Sequence, residues 1–132
     1  MYQRKRDNSP GDVMKIGVPT LGRRGLSEEV SPHFGRAPTF TVYDTGEGTI
    51  NVVDNTSEHM GGRGKPPEML VEHGVEIMLC SGLGPRAIRM FESYGIRVFV
   101  GASGTVQDSI ELWKEGILQE ATDETACKMH RH

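Results

Sequence analysis

The stretch VEIMLCSGLGPRAIRMFESYGIRVFVG, residues 75–101, decides the fold. VEIMLCSG (75–82) is a nearly continuous apolar run, the mark of a strand buried on both faces. Gly82-Leu83-Gly84-Pro85 interrupts it, and RAIRMFESYG (86–95) then puts Ile88 and Phe91, with Met90 as a further candidate, on the inner side of a helix. IRVFVG (96–101) is a second buried run of the same kind. Strand, helix and strand in succession imply a parallel pair joined by a right-handed crossover. Ser103-Gly104 precedes another helix, with Val106, Ile110 and Trp113 inward, and beyond Gly116 the chain turns polar.

Upstream, Pro66 and Pro67 open a helix at its first turn, where a missing N–H costs nothing. Met69, Leu70 and His73 follow at helical spacing, and Gly74 stops it. TFTVYDT (39–45) and TINVVDN (49–55), separated by Gly46-Glu47-Gly48, have the strand propensity and turn chemistry of a hairpin. Residues 14–20 make a short strand with Ile16 and Val18 apolar. Two glycine-rich loops remain, LGRRGLSEEVSPHFGRAP (21–38) and TSEHMGGRGKP (56–66). A loop as long as the first is either functional or disordered. The expected architecture is a three-layer α/β domain around one mixed five-stranded sheet, with an N-terminal antiparallel hairpin portion and helices on both faces. Residues 1–13 read as a flexible leader, 14–120 as the domain and 121–132 as a Cys/His-containing tail. The glycine loops after residues 20, 55, 82 and 101 all follow strands, so they are placed to converge on one edge. Ligands of such sheets sit where strand ends meet loops.

Composition narrows the function. The chain has 132 residues, 15 Lys+Arg against 18 Asp+Glu and a formal charge of −3, which argues against a dedicated nucleic-acid binder. No apolar run approaches the roughly 20 residues of a membrane span. Two cysteines, Cys80 and Cys127, are too few for a disulfide scaffold, so a cytoplasmic single domain is expected. The 17 glycines are about twice the average share, and the 5 histidines are unevenly placed.

Cys127-x-x-His130-x-His132 puts a thiolate and two imidazoles within six residues, a donor set suited to zinc or iron. The alternatives are a disordered end, or a tail lending ligands to a metal that the body also grips. His33, in SPHFGRAP, is a loop imidazole with Arg36 nearby to hold an anionic group. Against that stands a loop whose Phe34 plugs the core while His33 hydrogen-bonds backbone. His59, in SEHMGGRG, neighbours Met60 and Arg63, and Gly61, Gly62 and Gly64 let backbone approach a bulky ligand. A solvated loop is the other reading. His73, late in its helix beside Glu72, suits a partner for the helix C-terminus. Cys80 ends a buried strand and reads first as a core residue, although its position keeps a ligand or redox role open. Gly82-x-Gly84 falls short of the dinucleotide pattern, because position 87 is Ala, and neither a phosphate-binding G-x-x-x-x-G-K-[ST] nor a G-x-S-x-G elbow occurs.

Three blocks together, SPHFGRAPTFTVYD (31–44), EHMGGRGKPPEMLVEHGVEIMLCSGLGPRAI (58–88) and GIRVFVGASGTVQDSIELWKEG (95–116), resemble the dinitrogenase iron–molybdenum cofactor family. That family includes NifX, the NafY core, the C-terminal part of NifB and small stand-alone members. The resemblance implies a ribonuclease-H-like α/β fold without nuclease activity, and carriage of the iron–molybdenum cofactor or its iron–sulfur precursor. It points to His33 within S-x-H-F-G-R-A-P and His59 within E-H-x-G-G, and the Cys/His tail is similar to the metal-rich end of some small members. This chain departs from relatives with more histidines in the second loop, having Arg63 and Lys65 instead.

The expectation is therefore a non-enzymatic carrier of an iron–sulfur or iron–molybdenum-type cluster, exchanging it with a donor or acceptor protein. Its cofactor-binding residues are His33, Arg36, His59, Gly61, Gly62 and Arg63. Its metal-ligand candidates are His33, His59, Cys80, Cys127, His130 and His132. A regulatory or binding module holding a mononuclear zinc or an oxyanion is the alternative. An enzyme such as a phosphoryl hydrolase comes third, since no convincing acid or base stands out.

Overall fold

The computed structural model describes residues 13–55 and 66–122. Its strands are β1 (Lys15–Thr20), β2 (Thr39–Asp44), β3 (Ile50–Asp54), β4 (Val75–Cys80), β5 (Arg97–Val100) and β6 (Gln119–Ala121). The helices are α1 (Pro66–Glu72), α2 (Pro85–Ser93) and α3 (Val106–Lys114), and short 3-10 turns occur at Gly25–Ser27 and Phe34–Arg36. The sheet order is β3-β2-β1-β4-β5-β6. The middle pairs β1–β4 and β4–β5 are parallel, whereas β1–β2, β2–β3 and β5–β6 are antiparallel.

The sheet thus has six strands, not the expected five. The added strand reads Gln-Glu-Ala, too short and too polar for periodicity to register. Tertiary contacts hold it: the Arg97 guanidinium donates to both Glu120 carboxylate oxygens, at 2.8 and 2.7 Å. The same guanidinium lies 5.4 Å from the Phe99 ring centre.

Two cores sandwich the sheet. One gathers Phe40, Val42, Leu70, Met78, Ile88, Phe91 and Val98 beneath α1 and α2. The other gathers Ile16, Val18, Ile77, Leu79, Val106, Ile110 and Trp113 beneath α3. Alternation along β4 sends Ile77 and Leu79 to one side and Met78 and Cys80 to the other, which is why the run is apolar throughout. The β1–β4 register shifts between Lys15 and Ile16, which lets Val75 share a core with Met78. Gly17 faces that core because a Cβ there would come within 2.7 Å of Met78 Sδ. An N-terminal capping box starts α3: Asp108 N donates to Thr105 Oγ1 and Thr105 N to Asp108 Oδ2, both at 3.1 Å.

Because β1, β3, β4 and β5 run in one direction, Thr20, Asp54, Cys80 and Val100 all end at one edge. The glycine-rich connections leave the sheet from that edge, as their spacing predicts. Among the described residues, no helix is long and apolar enough to cross a membrane.

Candidate functional site

The loop from Leu21 to Pro38 is an ordered element whose first half packs on the α3 side of the sheet through Leu26 and Val30 and whose second half reaches the α1/α2 core through Phe34 and Ala37. Leu26 rests on the core beneath α3. Val30 bridges to Thr20 and donates to the Gly104 carbonyl at 2.9 Å, while the Glu28 carbonyl accepts from Val106 N at 2.9 Å. The loop is thereby stitched to both the end of β1 and the start of α3.

Three buried hydroxyls fix its root. Thr39 Oγ1 donates to the Gly22 carbonyl at 2.6 Å. With its hydrogen used there, Thr39 accepts from Thr20 at 2.7 Å, and Thr20 in turn accepts from Thr41 at 3.0 Å. Every hydroxyl in the chain is satisfied, and each bond polarises the next.

Glu28 ties the loop to itself. Its side chain, only 5% exposed, accepts from Arg24 N, from the Arg24 guanidinium and from Glu29 N. Gly22 makes room, since a Cβ there would come within 2.6 Å of Glu28 Oε1. The Arg24 guanidinium foremost, then the Glu29 amide, hold the Glu28 carboxyl below the ordinary value of 4.5. A depressed folded value means stability that is complete above the ordinary glutamate pKa and is lost as pH falls through the folded one. Glu28→Gln is therefore expected to flatten the acid limb of the stability curve below about pH 4.5. Urea midpoints of both proteins between neutral and acid pH measure it, and parallel curves would count against the clamp.

Beyond this bracket stands His33. Its backbone is locked: His33 N donates to Ser31 Oγ at 3.3 Å, Ser31 Oγ donates to His33 O at 3.1 Å, and Ser31 N donates to Pro19 O at 2.8 Å. Phe34 then enters the α1/α2 core, with ring centres 5.1 Å from Phe91 edge-on and 5.4 Å from Phe40. So Phe34 does plug the core, but the His33 side chain is exposed rather than turned onto backbone. Arg36 is exposed on the same short turn. Neither side chain has a hydrogen-bond or ion-pair partner among the described residues. Gly35, Gly82 and Gly84 all face open space.

The second loop starts beside the first. Asn55 N donates to Pro38 O at 3.0 Å and Asn55 Nδ2 to Ala37 O at 2.8 Å, and Arg23 pairs with Asp54. His59, Gly61, Gly62 and Arg63 lie outside the described residues, as do Cys127, His130 and His132. Cys80 is at the right edge but faces inward at 1% exposure, and burial pushes its thiol up to about 12. A neutral thiol in an apolar core is a packing group, not a ready ligand. Among the described residues, no three His, Cys, Asp or Glu side chains gather to hold a metal ion.

The family model described as dinitrogenase iron-molybdenum cofactor matches residues 14–116, the whole bracket and sheet except β6. The chain belongs to that family. Its fold superposes on the apo form of the orange protein from Desulfovibrio gigas, with a TM-score of 0.74 and 28% identity over 83% of this chain and 94% of that one. A putative NifB protein from Thermotoga matches with a TM-score of 0.70 and 37% identity, over 81% of this chain and 92% of that one. An uncharacterized protein of Methanocaldococcus jannaschii is 30% identical over 113 residues, 82% of this chain and 92% of its own.

Within this family member, sequence reasoning picked out His33 and Arg36 but missed the residues that position them: Ser31, Glu28, Asn55 and the three threonines. Thr39 and Thr41 left a trace, being polar residues at alternate positions of a strand. Glu28, in Ser27-Glu28-Glu29, left none and looks like any solvated acid.

Proposed function

We propose that this family member is a cytoplasmic carrier that binds an anionic iron–sulfur or iron–molybdenum-type cluster at the loop-bearing edge and stores or delivers it without catalysis. The observation that carries this reading is His33: an exposed imidazole without a partner among the described residues, on a turn locked by Ser31 and Phe34. A ligand preset in this way pays little ordering entropy on binding. The donor set fits such a cargo. Imidazole suits iron, the Arg36 cation offsets negative charge, and Gly35, Gly82 and Gly84 leave room for a bulky group. His59, Gly61, Gly62 and Arg63 complete the site in this proposal, and a donor or acceptor protein meets it at the same edge.

Anaerobic reconstitution with iron and sulfide, with and without molybdate, followed by absorption spectroscopy tests it. The wild-type chain is expected to take up a cluster, and His33→Ala to lose most of that uptake while keeping its urea midpoint. Equal uptake by the two proteins would remove the basis of the proposal.

A further inference from the structure

The end of the sheet away from His33 carries charge of its own. Ile16 lies in the core beneath α3, so alternation along β1 sends the neighbouring Lys15 to the α1/α2 side. Asp44 stands directly opposite Lys15 on β2, and Asn51 stands opposite Val42 two residues higher on the same face. Helix α1 packs on β4 and ends at Glu72. Between that helix end and the base of β2 and β3 opens a cleft of about 410 Å³, with Val42 in its lining. That volume falls within the roughly 300–1,000 Å³ of small-molecule sites.

The charges in this cleft are held apart instead of neutralising one another. Gly74 is in the left-handed region at φ +80° and carries no Cβ. Lys15 runs past it: a Cβ at Gly74 would lie 3.3 Å from Lys15 Cδ and 3.6 Å from Nζ. The ammonium forms no ion pair with Asp44, its cross-strand neighbour, or with any other described residue. Asp44 is oriented from the hairpin turn, where Gly46 N and Glu47 N donate to Oδ1 at 2.9 and 3.0 Å. Its second oxygen, and the carboxylates of Glu47 and Glu72, have no partner among the described residues. His73 Nδ1 lies 3.0 Å from the Met69 carbonyl. A carbonyl only accepts, so Nδ1 carries the hydrogen and Nε2 of the neutral ring remains an acceptor.

A cleft in which both signs of charge are uncommitted is complementary to a ligand that carries both. Three carboxylates against one ammonium set the balance of that ligand at more positive groups than negative ones. We infer that the cleft binds a free basic α-amino acid of the arginine or lysine type. The ligand carboxylate meets the Lys15 ammonium, and its α-ammonium donates to Asp44 and Glu47. The side-chain cation donates to Glu72 and to His73 Nε2, while Thr49 and Asn51 add neutral polar contacts. The site is at the opposite edge from His33, is independent of the cluster cargo, and joins the β2–β3 hairpin to the end of α1.

Calorimetric titration of the full chain with L-arginine and L-lysine at low ionic strength tests the assignment. One saturable site per chain is expected, and added salt should weaken it, because its ion pairs face solvent. Citrulline, which has a neutral urea group in place of the guanidinium, should bind about tenfold more weakly than arginine, the loss of one charged contact. Asp44→Asn keeps the acceptor for Gly46 N and Glu47 N, so the turn survives, and arginine should again bind about tenfold more weakly. Lys15 is exposed, so Lys15→Gln spares the fold. It should bring arginine down to the affinity of agmatine, the same molecule without its carboxylate, and leave agmatine unchanged. His33→Ala should titrate like wild type. Saturable binding of neither amino acid would overturn the inference. So would citrulline binding as tightly as arginine, arginine binding untouched by Asp44→Asn, or agmatine weakened by Lys15→Gln as much as arginine. A cleft that takes a lysine-rich peptide but neither free amino acid would belong to a partner protein, and the inference would fall.

Discussion

Phe91→Ala is expected to cost about 3–5 kcal/mol of folding stability, the range for a fully buried aromatic replaced by alanine. Phe91 has no exposed surface and sits in the core beneath α1 and α2. Against a typical total of about 5–15 kcal/mol, that loss removes a large share of the domain's stability. The change also takes away the ring against which Phe34 packs edge-on, so the His33 turn keeps only the Phe40 ring of its two aromatic contacts. Urea unfolding with an unchanged slope reads the first effect, and cluster reconstitution reads the second. The single tryptophan, Trp113, lies on the opposite face beneath α3, so its fluorescence reports whether the two cores unfold together. Phe34→Ala separates the two effects. Phe34 is only partly buried, so its stability cost is smaller, yet the His33 turn loses both of its ring contacts. A Phe91→Ala midpoint within about 1 kcal/mol of wild type would contradict the packing described here.

Thr20→Val is expected to cost about 2 kcal/mol although it preserves shape and volume. Thr20 has no exposed surface and stands in the middle of the hydroxyl chain. Its removal leaves Thr41 without its acceptor and Thr39 without its donor in a buried site, and stranding a buried polar group costs about 1–3 kcal/mol. Replacing Thr20, Thr39 and Thr41 together by valine takes the Thr39 hydroxyl from the Gly22 carbonyl and its longer contact from the Thr20 carbonyl, but leaves no hydroxyl stranded, because those that needed one another are all gone. The triple variant should therefore be destabilised by clearly less than the sum of the three single changes. Chemical denaturation of the four variants measures this, and strict additivity would mean that the hydroxyls act independently.

The residues show why some features were legible in the chain and others were not. Val75 to Cys80 and Ile96 to Val100 declared themselves because burial on both faces leaves no polar position in the run. Helices α2 and α3 declared themselves through apolar residues at 3.6-residue spacing with Gly and Pro at their ends. β6 did not, because three residues carry no period and its stability comes from Arg97 and Phe99 on the neighbouring strand. The loop of Leu21 to Pro38 read as either functional or disordered. It is ordered because Glu28, Val30 and Ser31 find partners at Arg24, Gly104 and Pro19.

By itself the sequence determined the βαβ frame, the two-sided burial, the edge from which the glycine loops emerge and the family. These rest on local propensity and short-range period, which act within a few residues and are written along the chain. Only the tertiary structure decided that Thr20 meets Thr39 and Thr41, at separations of 19 and 21 residues, and that Cys80 faces the core. It alone set His33 and His73 at opposite ends of the sheet. Those outcomes depend on strand order and register, which are fixed when the whole sheet closes around its two cores.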